Sequence, residues 1–278
     1  MKLHTFLFAV LALVFLKPVL AGQDPLPVGA RSAGLGHASI TLNDVWCLHH
    51  NQAGLGYINR FTAGVYYESR FLMPEMGLNA ASLAMPLGKG ALGLSFRSFG
   101  YKAYQDAKLG LAYGRKFGEN LSIGMQLNYQ RIAFADVYGQ QSTFTAEAGA
   151  MYTFGSRLTL GAHVYNPGQA KLAEYDNERV PALIRFGGQY RFSKQVMMVA
   201  EVENALYANP SLKAGIEYAP VPVLLLRAGL SSNPREGHFG FSVLMKKLQL
   251  DFAGSFHPVL GFTPKMGLTF NPLSSNGR

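Results

Sequence analysis

The chain has little charge. Lys, Arg, Asp and Glu make up 15% of its 278 residues, against roughly 25% in an ordinary soluble domain, and a surface built from so few ionic groups is poorly suited to water. It has one cysteine, Cys47, so it forms no internal disulfide and has no disulfide framework. After its first twenty residues it contains no apolar run of the roughly twenty residues that a spanning helix needs. No linker rich in Pro, Ser or charge divides it, which leaves one domain as the simplest layout. The formal net charge is +9 without any basic run, so nucleic acid is not an expected partner. What the chain does have is 31 Gly, 19 Phe and 14 Tyr.

These residues are ordered with a period of two. Over 121–130, Leu121, Ile123, Met125, Leu127 and Tyr129 alternate with Ser122, Gly124, Gln126, Asn128 and Gln130, a sorting that a strand produces and a helix does not. The same alternation predicts strands near 62–71, 78–87, 90–99, 104–116, 121–134, 141–154, 157–165, 181–192, 195–204, 210–219, 222–231, 237–246, 248–257 and 262–270. Most reach the nine to eleven residues that cross a membrane when tilted. The connections alternate between tight (88–90, 117–120, 155–156, 193–194, 219–221, 246–247) and longer (72–76, 100–103, 135–140, 166–180, 205–209, 232–236, 258–261). Outer-membrane barrels show this rhythm, with short periplasmic turns and longer external loops. A soluble sandwich would also alternate in polarity, but it has no reason to keep that rhythm.

Residues 1–21 carry Lys2, an apolar run from Phe6 to Leu16 and Val19-Leu20-Ala21 before the cleavage point, the layout of a secretory signal. Export and strands together predict an all-β, transmembrane outer-membrane β-barrel of about 14 antiparallel strands, occupying 61–271, with a tail at 272–278. A preference for outer-membrane lipids or lipopolysaccharide phosphates near the rim fits the basic balance, and the 166–180 loop, which mixes both charge signs, is the expected external contact surface. The alternation turns Lys108, Glu147, Arg185, Arg191, Glu201, Glu203, Lys213, Glu217, Arg227 and Asp251 into the lumen, where opposite signs can pair.

Residues 22–60 do not alternate. They contain Gly29-Ala30-Arg31-Ser32-Ala33-Gly34-Leu35-Gly36, Asn43-Asp44, Trp46 and Asn51-Gln52-Ala53-Gly54-Leu55, which together resemble the opening motif of the PorV/PorQ proteins within the FadL-type group of outer-membrane transporters. The family form has proline where this chain has Gln52. The resemblance implies that 22–60 folds into the lumen as a hatch, with Gly29, Arg31, Gly34, Gly36, Asn43, Asp44, Trp46, Asn51 and Gly54 as its motif residues. It implies a non-enzymatic role in type IX protein secretion or in surface attachment of cargo, in a Gram-negative, Bacteroidetes-like outer membrane. Translocon components and exported proteins would be the partners. The alternative within the same group is a FadL-type transporter of fatty acids or other hydrophobic small molecules, held between hatch and wall by Leu35, Ile40, Val45, Trp46 and Leu48.

An enzyme reading, a lipid hydrolase, requires Ser, His and an orienting group together. His163, His238 and His257 lie near serines, but no motif joins them. Cys47, His49 and His50 lack a second pair of ligands at metal spacing, so neither a metal nor another cofactor is expected.

Overall fold

In the computed structural model, residues 26–134, 139–171, 179–206 and 208–271 are described. The signal segment 1–21, the tail 272–278 and the middle of the 166–180 loop lie outside them. Fourteen strands run β1 (Thr62–Ser69), β2 (Gly77–Leu87), β3 (Gly90–Tyr101), β4 (Tyr104–Phe117), β5 (Leu121–Phe134), β6 (Gln140–Phe154), β7 (Leu158–Tyr165), β8 (Leu183–Arg191), β9 (Val196–Ala205), β10 (Ser211–Val221), β11 (Leu224–Ser232), β12 (Arg235–Met245), β13 (Leu248–His257) and β14 (Gly261–Phe270). Each pairs antiparallel with its neighbours in sequence, and β1 closes on β14 through pairs such as Ala63 with Phe270. Closure leaves no edge strand with unpaired backbone, as a lipid surround demands.

The register carries the period of two around the wall. On β4 and β5, Lys108 and Gln130 oppose one another inside while Leu109 and Tyr129 oppose one another outside. The outer face presents large apolar side chains, among them Leu109, Leu111, Met125, Leu127, Phe186 and Phe241. In lipid such a surface carries no hydrophobic penalty, whereas in water each side chain would forfeit about 1.5–3 kcal/mol of available burial.

Two of the expected long connections are short. β3 and β4 extend to Tyr101 and Tyr104, leaving Lys102 and Ala103 between them, and β11 and β12 are joined by Asn233 and Pro234. The extra length has gone into the strands, so the wall itself rises at this end. The opposite end, with the tight turns and the start of β1, is basic. Its turns and the strand residues next to them carry Lys89, Arg115, Lys116, Arg157, Arg191, Lys194, Lys246 and Lys247, with Glu119 as the opposing carboxylate among them.

Inside the barrel lies the chain from Leu26 to Ile58. It forms a short helix α1 (Ala30–Gly34) and two 3-10 turns, Val45–His49 and Gln52–Tyr57. Local chemistry sets these ends. Gly29 enters α1 at φ 100°, the Asp44 carboxylate accepts from Trp46 N at 3.0 Å, and the Asn51 amide oxygen accepts from Ala53 N at 3.1 Å. The main apolar core joins this segment to β1–β4: Val45, Trp46, Leu48 and Leu55 pack with Tyr66, Leu78, Ala80, Ala84, Ala91 and Ala112. A second cluster sets Leu35, Ala38 and Leu42 on Met197 and Val199 of β9. The interior is therefore part polar and part greasy, because the segment brings its own apolar residues and meets small or apolar ones on the wall.

Candidate functional site

The segment is held to the wall by charge and by close backbone approach. Arg31 donates two bonds to Glu217, each 2.9 Å, and a third of 3.0 Å to Asp44. Glu217 also accepts from Arg227 at 2.7 Å, and Arg227 reaches Asp251 at 3.1 Å. Glu201 accepts the backbone N–H groups of Ser39 and Ile40 at 2.7 and 2.9 Å. Gln52 donates to Glu147 at 3.0 Å, and Glu147 holds Lys108 at 2.9 Å. Arg185 and Lys213 share Glu203, each at 2.8 Å. These groups are almost fully buried, where a charge without a partner would cost several kcal/mol. Arg191 is half-buried near the turn end and stands outside these networks.

Between the charged contacts the wall is glycine. Leu48 lies over Gly93, Gln52 over Gly124, Asn51 over Gly149, Ile40 over Gly187, and Leu35 and Gly36 over Gly215 and Gly229. In the sequence this inward glycine track is simply part of the small or polar side of the alternation. Its signal was present: glycine recurs at inward positions of β3, β5, β6, β8, β10 and β11.

The five apolar residues expected to touch a ligand, Leu35, Ile40, Val45, Trp46 and Leu48, are all buried against the wall, and none lines a described cavity. The motif residues Gly34, Gly36, Asn51 and Gly54 are buried with them, and Asn43 and Asp44 are half-buried toward the turn end.

Two adjoining cavities lie on the loop side of the segment. A cavity of about 420 Å3 has Gly36, His37, Lys213 and Lys265 as its floor, Phe71, Met76, Leu206, Ala208 and Leu260 on its apolar walls, and Glu68, Arg70, Glu203, Glu236 and His257 around it. A smaller cavity of about 70 Å3 adjoins it through Pro181 and Ala205 and reaches Leu26, Tyr165, Val180 and Leu183. Two features shape this space. Phe71 and Leu72 are consecutive non-glycine residues at φ 54° and 59°, a conformation that costs on the order of 1–2 kcal/mol each, and Phe71 is fixed there by Thr263 Oγ1, which accepts from its N–H at 3.1 Å. The base of the 166–180 loop is tied by the Asn166 side chain, which donates to Val180 O at 2.6 Å. On the floor, burial and Lys265, whose Nζ lies 3.2 Å from His37 Nε2, hold the His37 imidazole well below its usual pKa.

Among the described residues, none of His163, His238 and His257 has a relay. His238 Nε2 faces both Ser231 Oγ at 3.2 Å and Glu236 at 3.6 Å, so one nitrogen takes both contacts, whereas a relay uses one nitrogen for each. His163 is engaged with Glu147, and His257 Nδ1 accepts from Val259 and Leu260 N–H. His49 bonds Ser82, His50 bonds Val28 O, and Cys47 is buried. No group of metal ligands occurs among the described residues.

No protein-family model matches the chain, and no curated protein matches it in sequence. Solved structures do match. The CymD monoaromatic hydrocarbon channel superposes with a TM-score of 0.70 at 13% identity, over 90% of this chain and 99% of that one. The toluene transporter TodX of P. putida gives 0.67 at 13%, over 90% and 97%. A FadL homologue from Pseudomonas aeruginosa gives 0.64 at 14%, over 90% and 100%. At such identities the likeness is one of architecture: the chain has the closed 14-stranded antiparallel barrel fold of these FadL-like structures.

Proposed function

We propose that this protein is an outer-membrane channel for hydrophobic small molecules, with 22–60 as its hatch. The observation that carries this reading is the loop-side cavity of about 420 Å3, closed below by the segment and walled by Phe71, Met76, Leu206 and Leu260. A cavity of about 150 Å3 suffices for benzene, so a monoaromatic hydrocarbon fits with room for its entry. A plugged lumen whose chamber has apolar walls over a charged floor suits capture of a greasy solute better than free diffusion of polar ones. The likeness to hydrocarbon channels supports this reading over the secretion role, which rests on the motif between Gly29 and Leu55 alone.

The test is uptake of radiolabelled toluene by Gram-negative cells producing the protein in their outer membrane, beside Ala205→Trp, which fills the junction of the two cavities. Uptake above the empty-vector host, cut roughly tenfold by Ala205→Trp, is the expected result. Uptake equal to the empty host, together with co-purification of a translocon or exported cargo, would instead favour the secretion role.

A further inference from the structure

At the opposite end of the lumen lies a third cavity, of about 390 Å3, between the hatch residues Thr41, Asn43 and Tyr57 and the turn ends of β4, β6, β7 and β8. Two cations line it, Lys116 and Arg191, and no carboxylate does among the described residues. Elsewhere in the lumen the inward cations sit on carboxylates: Arg31 on Glu217 and Asp44, Arg97 on Asp106, Lys108 on Glu147, Arg185 and Lys213 on Glu203, and Arg227 on Glu217 and Asp251. Lys265, on His37 and Ser255, is the exception at the loop end. Arg191 makes no side-chain hydrogen bond or ion pair with a described residue, and Glu217, the carboxylate whose field reaches it, is already held by Arg31 and Arg227. Lys116 Nζ is held 3.9 Å from the centre of the Tyr57 ring, and Tyr57 is itself anchored to Thr153 at 3.1 Å.

The cavity thus offers a guanidinium and an ammonium, both fixed on rigid elements, with Thr41, Asn43, Ser156, Thr159 and Gln189 as further polar groups. It opens into the basic turn end, whose charges add a positive potential that low-dielectric walls focus into the cavity. A pair of cations with no carboxylate lining their cavity, beside neutral hydrogen-bonding groups, is the arrangement that recognises an oxyanion. We propose that this turn-end cavity is an oxyanion site, taking the carboxylate of a small organic acid or a phosphate group on the periplasmic side of the hatch. The site is independent of the loop-side chamber and does not rest on the hydrocarbon reading.

The test is calorimetric titration of the full chain, folded in detergent micelles, with sodium benzoate, inorganic phosphate and benzyl alcohol, the last being close to benzoate in shape but uncharged. One-to-one binding of benzoate or phosphate is expected, with none of benzyl alcohol at this site. Affinity should fall at least tenfold in Arg191→Gln and in Lys116→Gln, and Arg191→Lys should recover part of it. Each variant is first checked for the heat-modifiable gel mobility of a folded barrel, and either one alone suffices if the other does not fold. Benzoate binding with weak phosphate binding assigns the site to organic acids, and the reverse assigns it to phosphate. Failure of both anions to bind the unaltered protein, or binding undiminished in the folded variants, overturns the proposal. Toluene uptake is expected to be unchanged in Arg191→Gln, so the two readings fail separately.

Discussion

An added methyl group at Gly124 would fall on the backbone of Gln52, and one at Gly215 would stand 2.6 Å from Leu35 O. Both faults lie against backbone, which cannot swing aside as a side chain would. We expect Gly124→Ala to displace the segment inside the barrel locally at a cost of about 1–3 kcal/mol, the usual scale of overpacking, and to expose 26–60 to protease in an otherwise folded barrel. Gly237→Ala, where nothing lies within 4 Å, should leave the digestion pattern unchanged. Equal protection in both variants would mean that the docking of this segment does not depend on the glycine track.

At the scale of the element, the segment from Leu26 to Ile58 is irregular and lacks enough regular structure to fold alone, so its order comes from what it touches. His50 is an instance. Its Nε2 lies 2.6 Å from Val28 O, tying the start of the segment to the residues between its two 3-10 turns, and burial, with Arg185 adding, pushes its pKa down to about 3 from an ordinary 6.5. Because the folded value is depressed, the undocked state binds more protons between these limits, and stability rises with pH there. The contribution of the neutral ring is complete above about pH 6.5 and is lost as pH falls toward 3, at about 1.4 kcal/mol per unit. The segment is therefore expected to loosen as pH falls from 7 to 4, seen as a red shift in emission from Trp46, the sole tryptophan. His50→Gln should flatten part of that dependence, and a shift identical to that of the unaltered chain would remove His50 as its source.

For the whole molecule, the lipid-facing wall and the distribution of charge are set together. Leu109 stands half-exposed on the outer face of β4, opposite Tyr129 on β5. Leu109→Arg should cost about 2–4 kcal/mol if that position lies near the bilayer midplane, read as a lowered urea midpoint for folding into phospholipid vesicles. Lys89→Leu, in a turn, should change the midpoint far less. Equal effects would place β4 at another depth. The basic excess, which suggested lipopolysaccharide contacts when read as a total, is concentrated at the turn end, whereas the loop end mixes Glu68, Arg70, Glu75, Lys102, Arg235 and Glu236. Net charge alone cannot report such polarity, because it sums over both ends.

The sequence by itself determined the wall. Alternation of apolar with small or polar residues repeats strand after strand, and since a strand sends successive side chains to opposite faces, it specified which face meets lipid, how many strands there are and, to within a few residues, where they end. It also turned Lys108, Glu147 and Arg185 inward, because facing is a local property of the strand. Only the tertiary structure decided what fills the interior. The pairing of Arg31 with Glu217 spans 186 residues, and no periodicity links positions so distant. The same holds for the open chambers. Leu35, Ile40, Val45, Trp46 and Leu48 read as a greasy lining, but closure of the barrel presses them onto glycine and alanine, and the free volume falls to residues from separate loops and strand ends that meet only when β1 pairs with β14.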